Sequence, residues 1–203
     1  MLSRPKYDEN GKKVLCEMGG VNSEMNMDIY VKKLAAGEVL DICEDKNECA
    51  VLLLSGKVHF EVGKINEICQ RENPFEKKPY AVHFSRGTAA RITAIEPAEV
   101  LVQQTDNEKS WQPVFYNPQN CLYQEFGKGQ WGGAGHRIVS TMFDLDNAPY
   151  SNMVMGEVFN QPGKWSSYPP HHHPQPELYY YRFSRPEGFG VGFEGDTPYK
   201  TQD

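Results

Sequence analysis

The run His171-His172-His173-Pro174-Gln175-Pro176-Glu177 places three imidazoles and a carboxylate within one short stretch of chain. Neutral imidazole nitrogens and a carboxylate oxygen suit a divalent ion such as Zn, Mn, Fe or Ni, and ligand type alone does not choose among them. On a strand, side chains two positions apart share a face, so His171 and His173 would aim at one point while His172 faces away. Pro174 and Pro176 turn the chain, and Glu177 then opens the next strand. The spacing therefore predicts one divalent metal held by His171, His173 and Glu177. A solvated histidine loop or a purification tag is the plain alternative. Tags sit at termini, whereas this run is internal and framed by prolines.

Carrying the alternation forward from Glu177 puts Tyr179, Tyr181 and Phe183 on the metal side. The phenols of Tyr179 and Tyr181 could hydrogen-bond a polyol or move protons, which makes them the catalytic candidates. Filling of a barrel by aromatic rings competes with that role. Trp165 and Ser167, in the approach loop, are the candidate substrate contacts. His59, His83 and His136 have no partner at ligand spacing and read as core or surface histidines.

The elements that must position these groups read as β-strands. Segments 28–34, 49–54, 57–62, 81–84, 90–95 and 99–104 are rich in β-branched and aromatic residues and are bounded by turn formers. The order of residues 52–58 suggests strand, tight turn at Ser55-Gly56, strand. Between residues 117 and 135 the pattern dissolves into a glycine-rich stretch, and strands resume at 137–143 and 153–159. We expect an all-β fold in two parts, 1–130 and 131–203.

A weak repeat supports two related halves. Gly37 leads through a polar stretch to Glu48 and the apolar run 49–54. Gly163 leads likewise to Glu177 and the run 178–183. Where the second half has histidines the first has Cys43 and Asp45, as in a duplicated barrel whose first copy has lost its metal.

Composition narrows the partners. The 203-residue chain is 39% hydrophobic and 24% charged with a formal net charge of −6, the profile of a folded protein that does not seek nucleic acid or an anionic membrane. No apolar stretch approaches the roughly 20 residues of a membrane helix, and residues 1–13 lack a secretory apolar core. Five cysteines without metal-like pairing predict reduced thiols in a cytoplasmic protein.

The run Trp165-Ser166-Ser167-Tyr168-Pro169-Pro170-His171-His172-His173, followed by Glu177-Leu178-Tyr179-Tyr180, resembles the 5-deoxy-glucuronate isomerase family of myo-inositol catabolism. Leu52-Leu53-Leu54-Ser55-Gly56, Arg71-Glu72-Asn73-Pro74-Phe75 and Gly133-Ala134-Gly135-His136-Arg137 extend the resemblance over about residues 25–190. It implies a bicupin, two jelly-roll β-barrels in one chain. It also implies interconversion of 5-deoxy-glucuronate and 2-deoxy-5-keto-gluconate, an aldose–ketose isomerisation of a small sugar acid. Uronate isomerases acting on 4-deoxy-5-keto sugars share the architecture and form the nearest alternative.

The resemblance further implies a fourth ligand, a histidine from a later strand pair. No histidine follows His173, and residues 195–203 depart from the family pattern. The expectation is a truncated or frameshifted product with an incomplete second barrel. A silent cupin that binds metal or sugar acid without turnover is the rival. Exposed strand edges in such a barrel predict a homo-oligomer.

Overall fold

The computed structural model describes residues 2–167, 171–193 and 195. Its strands are β1 (Lys12–Cys16), β2 (Asp28–Leu34), β3 (Val39–Ile42), β4 (Asn47–Val62), β5 (Ile65–Arg71), β6 (Ala81–Phe84) and β7 (Ala90–Asp106). They continue with β8 (Val114–Tyr116), β9 (Leu122–Phe126), β10 (Arg137–Phe143) and β11 (Met155–Asn160). The all-β expectation holds. Among the described residues only two 3-10 turns interrupt the strands, and no helix is long and apolar enough to cross a membrane.

Eight strands form the first sheet, in the order β1-β2-β7-β4-β6-β8, with β3 added to β7 and β5 to β4. The long antiparallel pair β4·β7 is its spine. One end of the pair carries β2 and β6, and the other carries β3 and β5. The register slips between Leu53 and Ser55, between Ser55 and Lys57, and again between Lys57 and Val58, so both strands bend there. Gly56 sits at the bend with φ +98°. A Cβ on it would lie 2.2 Å from the Pro97 carbonyl oxygen and 2.5 Å from Ala98 Cα. Only glycine allows this approach.

The hairpin expected at Ser55-Gly56 is thus a bulge inside one 16-residue strand, and the chain turns instead at Gly63. The segments 90–95 and 99–104 likewise belong to the single strand β7. Bending folds the sheet over a core that joins Val51, Leu53, Val82 and Phe84 from one end to Val58, Phe60, Val62 and Ile92 from the other.

The alternate side chains of β4, Ala50, Leu52 and Leu54, face a second cluster with Val31, Ala81, Met142, Phe143, Met153 and Met155. The first half of β4 is therefore buried on both faces, which explains its unbroken apolar run. The covering layer is the second sheet, in the order β11-β10-β9. The sheets change over between Tyr116 and Leu122. Residue 130, the expected division, lies in the loop joining β9 to β10 within the second sheet, and β9 occupies part of the stretch that reads as patternless.

Two buried polar contacts fasten the sheets. Arg71 of β5 donates from both terminal nitrogens to the Glu157 carboxylate of β11, at 2.8 and 2.7 Å. Glu48 of β4 accepts from the Asn152 backbone N–H at 2.6 Å and lies 3.1 Å from His83 Nε2, whose ring stacks on Phe143 at 4.0 Å. Among the described residues, 171–193 contain no strand, contrary to the strand expected after Glu177. A strand needs a hydrogen-bonded neighbour, and Pro174 and Pro176 remove two N–H donors at its approach.

Candidate functional site

The site-bearing chain leaves β11 through a turn at Gly163, closed by the Lys164 N–H on the Gln161 carbonyl at 3.1 Å. The Trp165 N–H donates to the Ala134 carbonyl at 2.8 Å, which ties the segment to the loop before β10. Ser167 follows in a left-handed backbone conformation, φ +53°. Tyr168, Pro169 and Pro170, and the tail from 196 onward, lie outside the described residues.

Ser167, His171, His173, Glu177 and Tyr179 line one cavity of about 290 Å³. His172 and Gln175 complete its wall. His172 was expected to face away, but without a strand at 171–173 the alternation that would turn it outward is absent.

The centre of the cavity is the pair His173 and Glu177. His173 Nδ1 lies 2.9 Å from the Gln175 carbonyl oxygen. A carbonyl can only accept, so Nδ1 carries the hydrogen and a neutral His173 presents a bare lone pair at Nε2. That Nε2 lies 3.3 Å from Glu177 Oε2. With His173 protonated this contact is an ion pair, and with it neutral the two atoms are acceptors facing one position where a cation could sit. Two ligands on one tetrahedral ion at roughly 2.0–2.2 Å would be separated by about 3.4 Å, close to this spacing.

His171 stands further out, its ring centroid 6.5 Å from that of His173. Two imidazoles sharing an ion would bring their centroids to roughly 5 Å. The donor set therefore suits a divalent metal in chemistry, and His173 with Glu177 suits it in spacing. Among the described residues no group of three His, Cys, Asp or Glu is closed around a common point.

Tyr179 points its hydroxyl at Ser167 Oγ, 3.2 Å away. Burial pushes the phenol above its ordinary range, and the Glu177 carboxylate adds to the shift although the Ser167 hydrogen bond opposes it. Tyr179 therefore stays protonated near neutral pH and can donate. The Tyr181 ring lies tilted 6.0 Å from that of Tyr179 but is 61% exposed and lies outside the lining. Trp165 rests against Phe193 at 5.9 Å and is also outside it. Of the seven expected residues, five meet at the cavity and these two do not.

Beyond Glu177 the alternation expected of a strand survives without a sheet. Tyr179, Tyr181 and Phe183 are exposed, whereas Leu178, Tyr180 and Arg182 are half-buried. Leu178 and Tyr180 pack on the apolar cluster between the sheets. Lys13 of β1 donates to the Tyr180 hydroxyl at 3.2 Å, and Arg182 forms an ion pair with Glu99 of β7, which also accepts from the Tyr7 hydroxyl. These anchors escaped the sequence reading because they are set by through-space partners far away in the chain, and the Gln175 carbonyl escaped it because its contact depends on the local turn of the backbone.

The model of the KduI/IolB family matches residues 1–201. A 5-deoxy-glucuronate isomerase of Bacillus licheniformis is 28% identical over 207 residues, covering 93% of this chain and 74% of the relative. The isomerase of the same name from Bacillus subtilis strain 168 is 28% identical over 205 residues with the same coverage. Among solved structures, an IolB-like protein of Salmonella typhimurium superposes with a TM-score of 0.63 at 24% identity, over 70% of this chain and 54% of that one. The fold is shared, and this chain spans about half of that structure.

Proposed function

This chain belongs to the KduI/IolB family, and from that premise we propose that it is an isomerase interconverting 5-deoxy-glucuronate and 2-deoxy-5-keto-gluconate in inositol catabolism. The relatives carrying that activity in their names match 93% of the chain. The observation that carries the reading here is the approach of His173 Nε2 to Glu177 Oε2, 3.3 Å apart, in a cavity that also presents two hydroxyls.

His171, His173 and Glu177 are the residues that would hold a divalent metal, with the His171 ring moving inward by about 1.5 Å to complete the set. Such an ion, when bound, polarises a carbonyl and its neighbouring hydroxyl. The chain's own groups orient the site and stabilise developing charge. The Gln175 carbonyl fixes the His173 tautomer and keeps Nε2 directed into the cavity. Tyr179 Oη, protonated and backed by Ser167 Oγ, donates to the substrate oxygen that gains negative charge as a proton passes between adjacent carbons. Ser167 Oγ is a second hydroxyl partner for the polyol chain.

The test is turnover of 5-deoxy-glucuronate by the purified chain, before and after a chelator, with divalent metal added back. Loss on chelation and recovery with metal is the expected result. Turnover unchanged by chelation and by His173→Ala would refute the reading. Metal retained without turnover would favour the silent binder, which the outlying position of His171 also suits.

A further inference from the structure

The segment that carries Glu177 and Tyr179 belongs to no strand, yet its side chains alternate between the body of the protein and an outer face, where Glu177 and Tyr179 line the cavity. A stretch of extended chain without sheet hydrogen bonds has little to hold it except its side chains, and ordering it costs conformational entropy at each residue. Three residues face the body of the protein. Leu178 and Tyr180 make apolar and lysine contacts, and Arg182 makes the one ion pair described for the segment's inward face.

Its partner, Glu99, is a half-buried carboxylate in the middle of β7, opposite Lys33 of β2. Burial opposes its ionisation, but the Tyr7 hydroxyl and the Arg182 guanidinium outweigh that and hold its carboxyl below the ordinary range. The Tyr7 ring, in turn, lies under the ammonium groups of Lys13 and Lys33, at 4.1 and 4.3 Å from its centroid. Glu99 is therefore the acceptor of a polar cluster assembled from the N-terminal segment, β1, β2, β7 and the site-bearing segment.

We propose that Glu99 is a positioning residue for the candidate site, clamping Arg182 so that Glu177 and Tyr179 are presented to the cavity from the opposite side of the same extended segment. At roughly 3.3 Å per residue, Arg182 is about 10 Å along the chain from Tyr179. A free end at that distance lets the two cavity residues swing, whereas a fixed end holds both near His173. A group on the first sheet thus sets the geometry of a site carried by the C-terminal segment. This inference rests on the metal reading proposed above.

Two measurements test it, on the full chain bearing Glu99→Gln and, separately, Arg182→Met. The first is trypsin cleavage after Arg182, followed by mass spectrometry; Arg185 is followed by Pro186 and so resists the enzyme. Cleavage at least fivefold faster in Glu99→Gln is expected, and an unchanged rate overturns the clamp. The second is titration with Mn²⁺ or Ni²⁺ alone, with far-ultraviolet circular dichroism showing the fold intact. Each variant should bind at least tenfold more weakly than the unaltered chain. The double variant should be no worse than either single, because the two residues act as one unit. Unchanged affinity or simple additivity overturns the proposal. Glu96→Gln, an exposed change on the same strand, should leave both measurements unaltered. If the unaltered chain binds no metal, the proposed function fails, and the trypsin arm alone judges the clamp.

Discussion

Arg71 and Glu157 meet face to face across the two sheets, with all five guanidinium N–H groups engaged. Two go to the Glu157 oxygens, two to the Lys77 carbonyl and one to the Leu53 carbonyl. The Arg71 side chain is fully buried, while that of Glu157 keeps 22% of its surface. A buried guanidinium with every donor satisfied is tolerated, and one that loses its partner is not.

Replacing Arg71 by Met should accordingly destabilise the fold by about 3 kcal/mol, a figure discounted for the partial exposure of Glu157. Arg71→Lys should recover little, since an ammonium cannot reach three acceptors in a plane. Urea unfolding of both variants is the check, and a loss below about 1 kcal/mol for Arg71→Met would contradict the account.

Gly56→Ala should cost about 2–4 kcal/mol, because its Cβ would strike the backbone at Pro97 and Ala98 from a left-handed conformation. Gly87 also has positive φ, +71°, but nothing lies within 4 Å of an added Cβ. Gly87→Ala should therefore cost only about 1 kcal/mol. Equal melting temperatures for the two variants would remove the steric argument.

The Glu99 cluster gives a pH dependence of defined sign. Its carboxyl is held below the ordinary 4.5 in the folded chain. A depressed folded value means that its stabilisation is complete above the ordinary value and is lost as pH falls through the lowered one. Melting temperature measured from about pH 6 down to pH 3 should therefore fall less steeply in Glu99→Gln than in the unaltered chain. Parallel curves would show that Glu99 contributes nothing to acid sensitivity.

Within the proposed reaction, Tyr179→Phe should lower kcat by about 10²-fold with a smaller change in KM, as expected for a lost proton donor. Tyr181→Phe should stay within about threefold, because that ring lies outside the cavity. Reversal of this order in steady-state assays would reassign the donor.

Much of this was legible in the sequence, and what was not has physical reasons. Strands β2, β6 and β10 follow from side-chain type and spacing, whereas His171, His173 and Glu177 line one cavity without the strand alternation that was to aim them at one point. The bend at Gly56 imitates a turn, since glycine serves both tight turns and bulges, and only the partner strand distinguishes them. Strand β5 went unread because its burial pattern is mostly exposed and it carries few apolar side chains. The strand expected after Glu177 kept its alternation but found no neighbour to pair with. Arg182 gave no local hint of Glu99, which lies 83 positions away.

The continuous pair β4·β7 has one more consequence. Because the same two strands run through both ends of the first sheet, that half of the molecule has no seam along which its faces could slide apart. Disturbance at either end is transmitted along a shared spine, so heat or pulling force should take this half apart in a single event rather than layer by layer.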